Sequence, residues 1–194
     1  MANNYLVQPV RMESQYVPTK VVSVMYQVSS ANAAVNNGTL AVLGGFAADP
    51  VYTAAYGSSF TDINTRIATL PAADTTAGVG VIDIAGVPTV SNPAGDITYR
   101  MGTATVGLTA KAGVPVRFRK LALDDTLVVS LDNFTAAPTA GQYAIVDSAT
   151  GKWKPSATVP TTGLVATVVK TGTALTQGVD PSVQTAFLVV SQLQ

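Results

Sequence analysis

Apolar and polar positions alternate along most of this chain. In the stretch KVVSVMYQV at 20–28, Val22, Val24, Tyr26 and Val28 share one parity, and Val21, Ser23, Met25 and Gln27 take the other. That two-residue period predicts a strand. Asn36-Asn37-Gly38 is a turn signal, and Thr39 to Leu43 follows as a short apolar strand. From 79 to 84, Val79, Val81 and Asp83 oppose Gly80, Ile82 and Ile84. The stretches 97–101 and 103–110 read as further short strands, with a Pro- and Gly-rich loop at 86–95. Beyond Gly113 the pattern is cleaner: strands are expected at 114–119, 126–131, 141–146, 152–154, 163–170 and 185–191. One segment carries a helical spacing. In TDINTRIATL at 61–70, Ile63, Ile67 and Leu70 form an apolar stripe, Thr61 or Asp62 an N-cap, and Pro71 a stop. The alternative there is one more strand.

The resulting expectation is an all-β chain: a small β-barrel or β-sandwich with an extended N-terminal arm and at most one short helix. Residues 1–19 have no period, and Pro9 and Pro18 remove backbone donors, so they read as the arm, with a disordered tail as the other reading. Residues 21–112 read as a loop-rich β region and 113–194 as a C-terminal β-barrel.

Composition sharpens this picture. Ala and Val number 28 each and Thr 25 among 194 residues, a mixture that favours strands and loops. Charged residues are 11%, well under the roughly 25% of an ordinary soluble domain. There is no His and no Cys, which excludes a His-based catalytic triad, a thiol nucleophile, a haem ligand and an ordinary zinc site. Zero net charge argues against nucleic-acid binding by counterion release. No window approaches the roughly 18 apolar residues of a membrane span. The start, Met1-Ala-Asn-Asn-Tyr-Leu-Val, has no basic-then-apolar leader, so the expectation is synthesis in a cytoplasm without a signal peptide. Asn37-Gly38-Thr39 and Asn133-Phe134-Thr135 match the glycosylation pattern, as chance matches in a Thr-rich chain.

Few residues are left to carry chemistry. Asp124, Asp125, Asp132 and Asp147 offer oxygen ligands for a hard cation. They lack an EF-hand spacing, and Asp at strand ends ordinarily bonds its own turn. The single Glu is Glu13, inside the expected arm, so any glycosidase-like carboxylate pair would be Asp with Asp. Gly78-Val79-Gly80 lacks the third glycine of a dinucleotide fingerprint and reads as a turn. Neither a catalytic residue nor a cofactor is expected. Arg117 and Arg119 share a strand face, either as a solvated, edge-protecting face or as a docking patch for an acidic protein surface. Trp153, the only Trp, lies between Lys152 and Lys154 and is either a core-edge residue or an interface anchor. The candidate partner contacts are Tyr5, Leu6, Val7 and Arg11 of the arm, with Arg117, Arg119 and Trp153.

The last third has a rhythm: GQYAIVD at 141–147, then Gly151-Lys152-Trp153, then GLVATV at 163–168, then TAFLVV at 185–190. A strand enters an Asp-containing turn, a short strand carries Gly-Lys, and a Gly-led valine strand follows. Over roughly 113–192 this resembles the small β-barrel head-decoration (cement) proteins of tailed bacteriophages. The resemblance implies a non-enzymatic virion protein on the outer capsid surface. It implies the major capsid protein as partner, assembly as a homotrimer, and clamping of neighbouring capsid subunits, sometimes through an extended N-terminal arm. A tail-tube or other shell-forming virion subunit is the nearest alternative, and a receptor- or glycan-binding adhesin module the next.

Overall fold

The computed structural model describes residues 5, 7–48, 61–75, 77–84, 90–91, 97–98, 109–173 and 183–193. Their strands, in chain order, begin with β1 (Val7–Arg11), β2 (Val21–Val28), β3 (Ala31–Asn32), β4 (Val35–Asn36) and β5 (Leu40–Ala48). Then come β6 (Thr61–Thr69), β7 (Val79–Asp83), β8 (Val90–Ser91), β9 (Ile97–Thr98), β10 (Thr109–Ala110) and β11 (Val116–Lys120). The series ends with β12 (Thr126–Ser130), β13 (Tyr143–Asp147), β14 (Lys152–Ser156), β15 (Leu164–Thr173) and β16 (Gln184–Leu193). One short helical turn, α1 (Glu13–Tyr16), and two 3₁₀ turns complete the described elements. The chain is all-β, as its alternation predicts.

Five strands close on themselves. The order β11-β7-β5-β6-β2 returns to β11, because Phe118 lies opposite Ile82 of β7 on one side and Val22 of β2 on the other. Every pairing in this ring is antiparallel except β2 with β6. Val24, Tyr26, Ala41, Ala68, Ile82, Val116 and Phe118 form its core, with Val35 and Ala110 from the β4–β10 pair. The position of Gly80 is forced by this packing. A β-carbon there would sit 2.4 Å from Cζ of Phe118 and 2.2 Å from the carbonyl oxygen of Arg119.

The second sheet runs β1-β12-β16-β15-β13-β14. It curls until its two ends meet. Phe134, just beyond β12, bridges to Trp153 of β14, and the Lys152 ammonium lies 5.5 Å from the centre of the Tyr5 ring, just ahead of β1. Leu127, Val129, Val146, Trp153, Leu164, Leu188 and Val190 from this sheet form one core with Leu40, Val79 and Val81 from the outside of the barrel. A backbone hydrogen bond from Leu40 N–H to the Gly151 carbonyl (2.7 Å) ties the two bodies. Gly151 has φ +67°, and a β-carbon there would strike the Leu40 carbonyl at 2.9 Å.

Several expectations change. Residues 61–69 form strand β6 rather than a helix. Its odd positions are the β-branched Thr61, Ile63, Thr65, Ile67 and Thr69, and pairing to β2 and β5 on both sides outweighs the i, i+4 apolar spacing. The strand expected at 39–43 runs on through Gly44 and Gly45 to Ala48, and its register with β6 shifts between Leu43 and Phe46. Among the described residues, the N-terminal segment forms strand β1 and the α1 turn and is docked on its own body: Val7 is buried and Met12 is fully buried in the second core. Pairing also crosses the division at 113, since β11 closes the first barrel and β1 joins the second sheet. Much of the expected loop at 86–95 and most of the expected strands at 97–101 and 103–110 lie outside the described residues. Both glycosylation-pattern asparagines, Asn37 and Asn133, are buried, so the folded chain offers neither as an acceptor.

Two substitutions test this packing. Gly80→Ala is expected to cost about 3 kcal/mol or more in a denaturant titration, because the obstructing atoms include backbone. The exposed β2–β3 loop has Ser29 and Ser30 at φ 49° and 64°, flanked by the paired Val28 and Ala31. Two-residue loops with this backbone favour Asn-Gly. The double change Ser29→Asn with Ser30→Gly is therefore expected to raise stability by about 1 kcal/mol in the same titration.

Candidate functional site

The two arginines singled out in the sequence are brought together, on β11, around a residue that the sequence reading did not link to them. Asp83 of β7 lies opposite Arg117 and is buried. Its Oδ2 takes a hydrogen bond from Nε of Arg119 at 2.5 Å and an ion pair from Arg117 at 2.7 Å. β11 has neighbours on both sides, so these arginines do not protect a sheet edge. Two cations meet one carboxylate, and the pair's first task is to neutralise a buried charge. Arg117 keeps about a third of its side chain exposed. An alternating pattern placed both arginines on one face. Nothing local could identify a partner on a strand more than thirty positions earlier.

Trp153 is fully buried in the second core. Its indole has no surface to offer a partner, so of its two roles it fills the packing one. Val7 is likewise buried. Leu6 lies outside the described residues. Tyr5 is half-buried beside Lys152, and Arg11 is exposed at the end of β1. The expected arm contacts therefore divide: Val7 is held by the fold, and Arg11 faces solvent.

Among the carboxylates, Asp125 is the most constrained. Its residue is buried, and its two oxygens reach separate segments. Oδ1 accepts the Glu13 N–H at 2.6 Å, and Oδ2 accepts the Ala122 N–H at 2.8 Å. The backbone of the same loop pairs with β16, through Asp124 N–H to the Val190 carbonyl and Val190 N–H to the Asp125 carbonyl, both 2.9 Å. One carboxylate thus locks the start of α1 onto the 122–125 loop. Burial pushes its pKa above the ordinary carboxylate value, against the two backbone donors that pull it down. Asp147 accepts a bond from the Thr150 hydroxyl in its own hairpin turn. Among the described residues, no group of three or more His, Cys, Asp or Glu is placed to hold a metal ion. Gly78 turns with φ +72° into β7, where Gly80 is an in-strand packing residue.

The Asp125 lock also shapes the surface. Arg11, Glu13, Tyr16, Leu123, Asp124 and Asp125 line one shallow concavity. Tyr16 is 77% exposed and Leu123 59% exposed, although the segments carrying them are fixed. Nothing in the sequence singles out Tyr16 or Leu123. Exposure of an apolar residue is decided by tertiary packing, and neither position breaks a local pattern.

The lock should be visible in the pH dependence of stability. The folded state holds the Asp125 proton to higher pH than the unfolded chain, so protonation favours the fold. That contribution is full below the ordinary value of 3.8 and is lost as pH rises through the raised folded value. Asp125→Asn keeps one acceptor and turns an NH2 toward the other backbone donor, so it is expected to be less stable at every pH. Melting both proteins from about pH 3 to about pH 7 should show the gap narrowing toward neutrality; a gap that widens would contradict it.

No protein-family model, curated protein or solved structure matches this chain.

Proposed function

We propose that this chain is a non-enzymatic structural protein of a virion, which binds the outer capsid surface and holds neighbouring capsid subunits together. The observation that carries the reading is that the fold uses its buried charged groups on itself. Asp83 is held by two arginines of the neighbouring strand β11, and Asp125 by two backbone amides. What these groups support is rigidity. The surface is correspondingly neutral, since only 11% of the residues are charged, and a neutral surface loses little on desolvation. Such a surface suits a wide, shared contact between shell components. The C-terminal rhythm that resembles phage head-decoration proteins falls on β13 to β16, four consecutive strands of the second sheet.

The test is a copy count. Particles purified from the source culture and treated with nuclease are digested, and this chain is quantified against the major shell protein by mass spectrometry. On the order of hundreds of copies per particle are expected, as for a component that repeats with the lattice. A few dozen copies would move the protein to the tail, and its complete absence would overturn the reading.

A further inference from the structure

The concavity between α1 and the 122–125 loop has two properties that belong together. It displays apolar groups on a locked frame, and its rim carries both signs of charge. We propose that this face is a two-fold contact between two copies of the chain. Tyr16 and Leu123 are its apolar knobs, and Arg11 of each copy meets Asp124 of the other.

The display is pre-organised. Tyr16 leaves a helical turn whose first amide is bonded to Asp125, and Leu123 leaves a loop whose Ala122 amide is bonded to the same carboxylate. Little freedom remains in these segments to lose on association, which is the condition for a small patch to bind at all. Tyr and Arg are also the residue types that most often carry interface energy.

The charges select the occupant. Arg11 and Asp124 are both exposed and line the same concavity, yet neither forms an ion pair among the described residues. Glu13, the other rim carboxylate, is already held by Lys20 at 3.1 Å. The open rim charges are therefore one of each sign. A patch built for an acidic or a basic partner would show one sign only. In a two-fold contact residue i meets residue j and residue j meets residue i, so one positive and one negative group on the same patch satisfy each other twice. The symmetry is two-fold, not the three-fold that a homotrimer would have. Stable complexes bury roughly 800 Å² per partner; with two apolar knobs and one ion pair contributed per copy, the pairing is expected to be concentration-dependent, with a Kd on the order of 0.1 mM.

Sedimentation equilibrium of the purified chain, from about 10 μM to about 1 mM, tests this without any capsid, so its outcome is separate from the copy count. The expected result is a monomer–dimer equilibrium. Arg11→Glu and Asp124→Lys should each weaken it at least about tenfold through like-charge repulsion, while an equimolar mixture of the two should pair at about the wild-type strength. Leu123→Lys should weaken it in either background. Position 124 has φ +64°, which Asp and Asn tolerate best. If Asp124→Lys does not fold, Asp124→Asn takes its place, and added to Arg11→Glu it must recover part of the lost association. A chain that stays monomeric throughout leaves the patch to a different protein and overturns the proposal. So does a trimer, a dimer indifferent to all these changes, or a charge-reversed mixture no tighter than its separate components.

Discussion

Because β7 lies between the barrel core and the core of the second sheet, all five of its residues, Val79 to Asp83, are buried. Val79 and Val81 pack into the core of the second sheet, and Ile82 packs into the barrel core. A strand with two dry faces must be filled correctly on both. That constraint explains Gly80, whose missing β-carbon leaves room for the Phe118 ring and the Arg119 carbonyl. It also explains why the barrel closes through β11, the strand that brings Phe118 between β7 and β2. β5 shares the duty, with Leu40 in one core and Ala41 in the other. The two bodies are thus coupled through a common wall, and a change in either core is felt by both.

The same wall dictates where charge can go. Asp83 continues the parity of Val79 and Val81 but sits at the end of the strand, where Arg117 and Arg119 reach it. A lone carboxylate there would be costly, and two guanidinium groups, one of them still partly in water, offset its desolvation. Asp125 answers a similar need where the N-terminal segment, leaving edge strand β1, meets the 122–125 loop. Met12 is fully buried, and the amide that follows it, that of Glu13, must find an acceptor. Both buried carboxylates thus stand where a segment joins a sheet that was paired from distant sequence.

What was legible in the sequence was whatever depends on near neighbours. The opposed parities of residues 79–84 were readable and correspond to two distinct cores, and the strands at 20–28 and beyond Gly113 follow their alternation. Long-range pairing was not readable. The apolar spacing of Ile63, Ile67 and Leu70 fits a helix in isolation, and only the places of β2 and β5 on either side make it a strand. The absence of period over 1–19 suggested an arm, because β1 is interrupted by Pro9 and its register with β12 shifts before Arg11. A shifted five-residue strand leaves no clean alternation, although its anchor, Met12, is as buried as any residue in the fold. Of the candidate contacts, Trp153 was ambiguous for a local reason: lysines on both sides set one wet face of β14 but do not say what covers the other.

The surface follows from this same division between what is locked and what is shown. A chain with few charges has little means of marking one face as different from another. Here the difference comes from the Asp125 clamp, which holds two apolar side chains in water that a more flexible segment would fold back against the body. Keeping Tyr16 and Leu123 exposed sacrifices burial that each side chain would otherwise gain, of order 1–2 kcal/mol per residue. The frame that enforces this exposure is built from a buried carboxylate, itself unfavourable to desolvate. Two unfavourable choices at one place, one polar and inside, one apolar and outside, are most simply reconciled if the exposed groups recover their burial against a second surface.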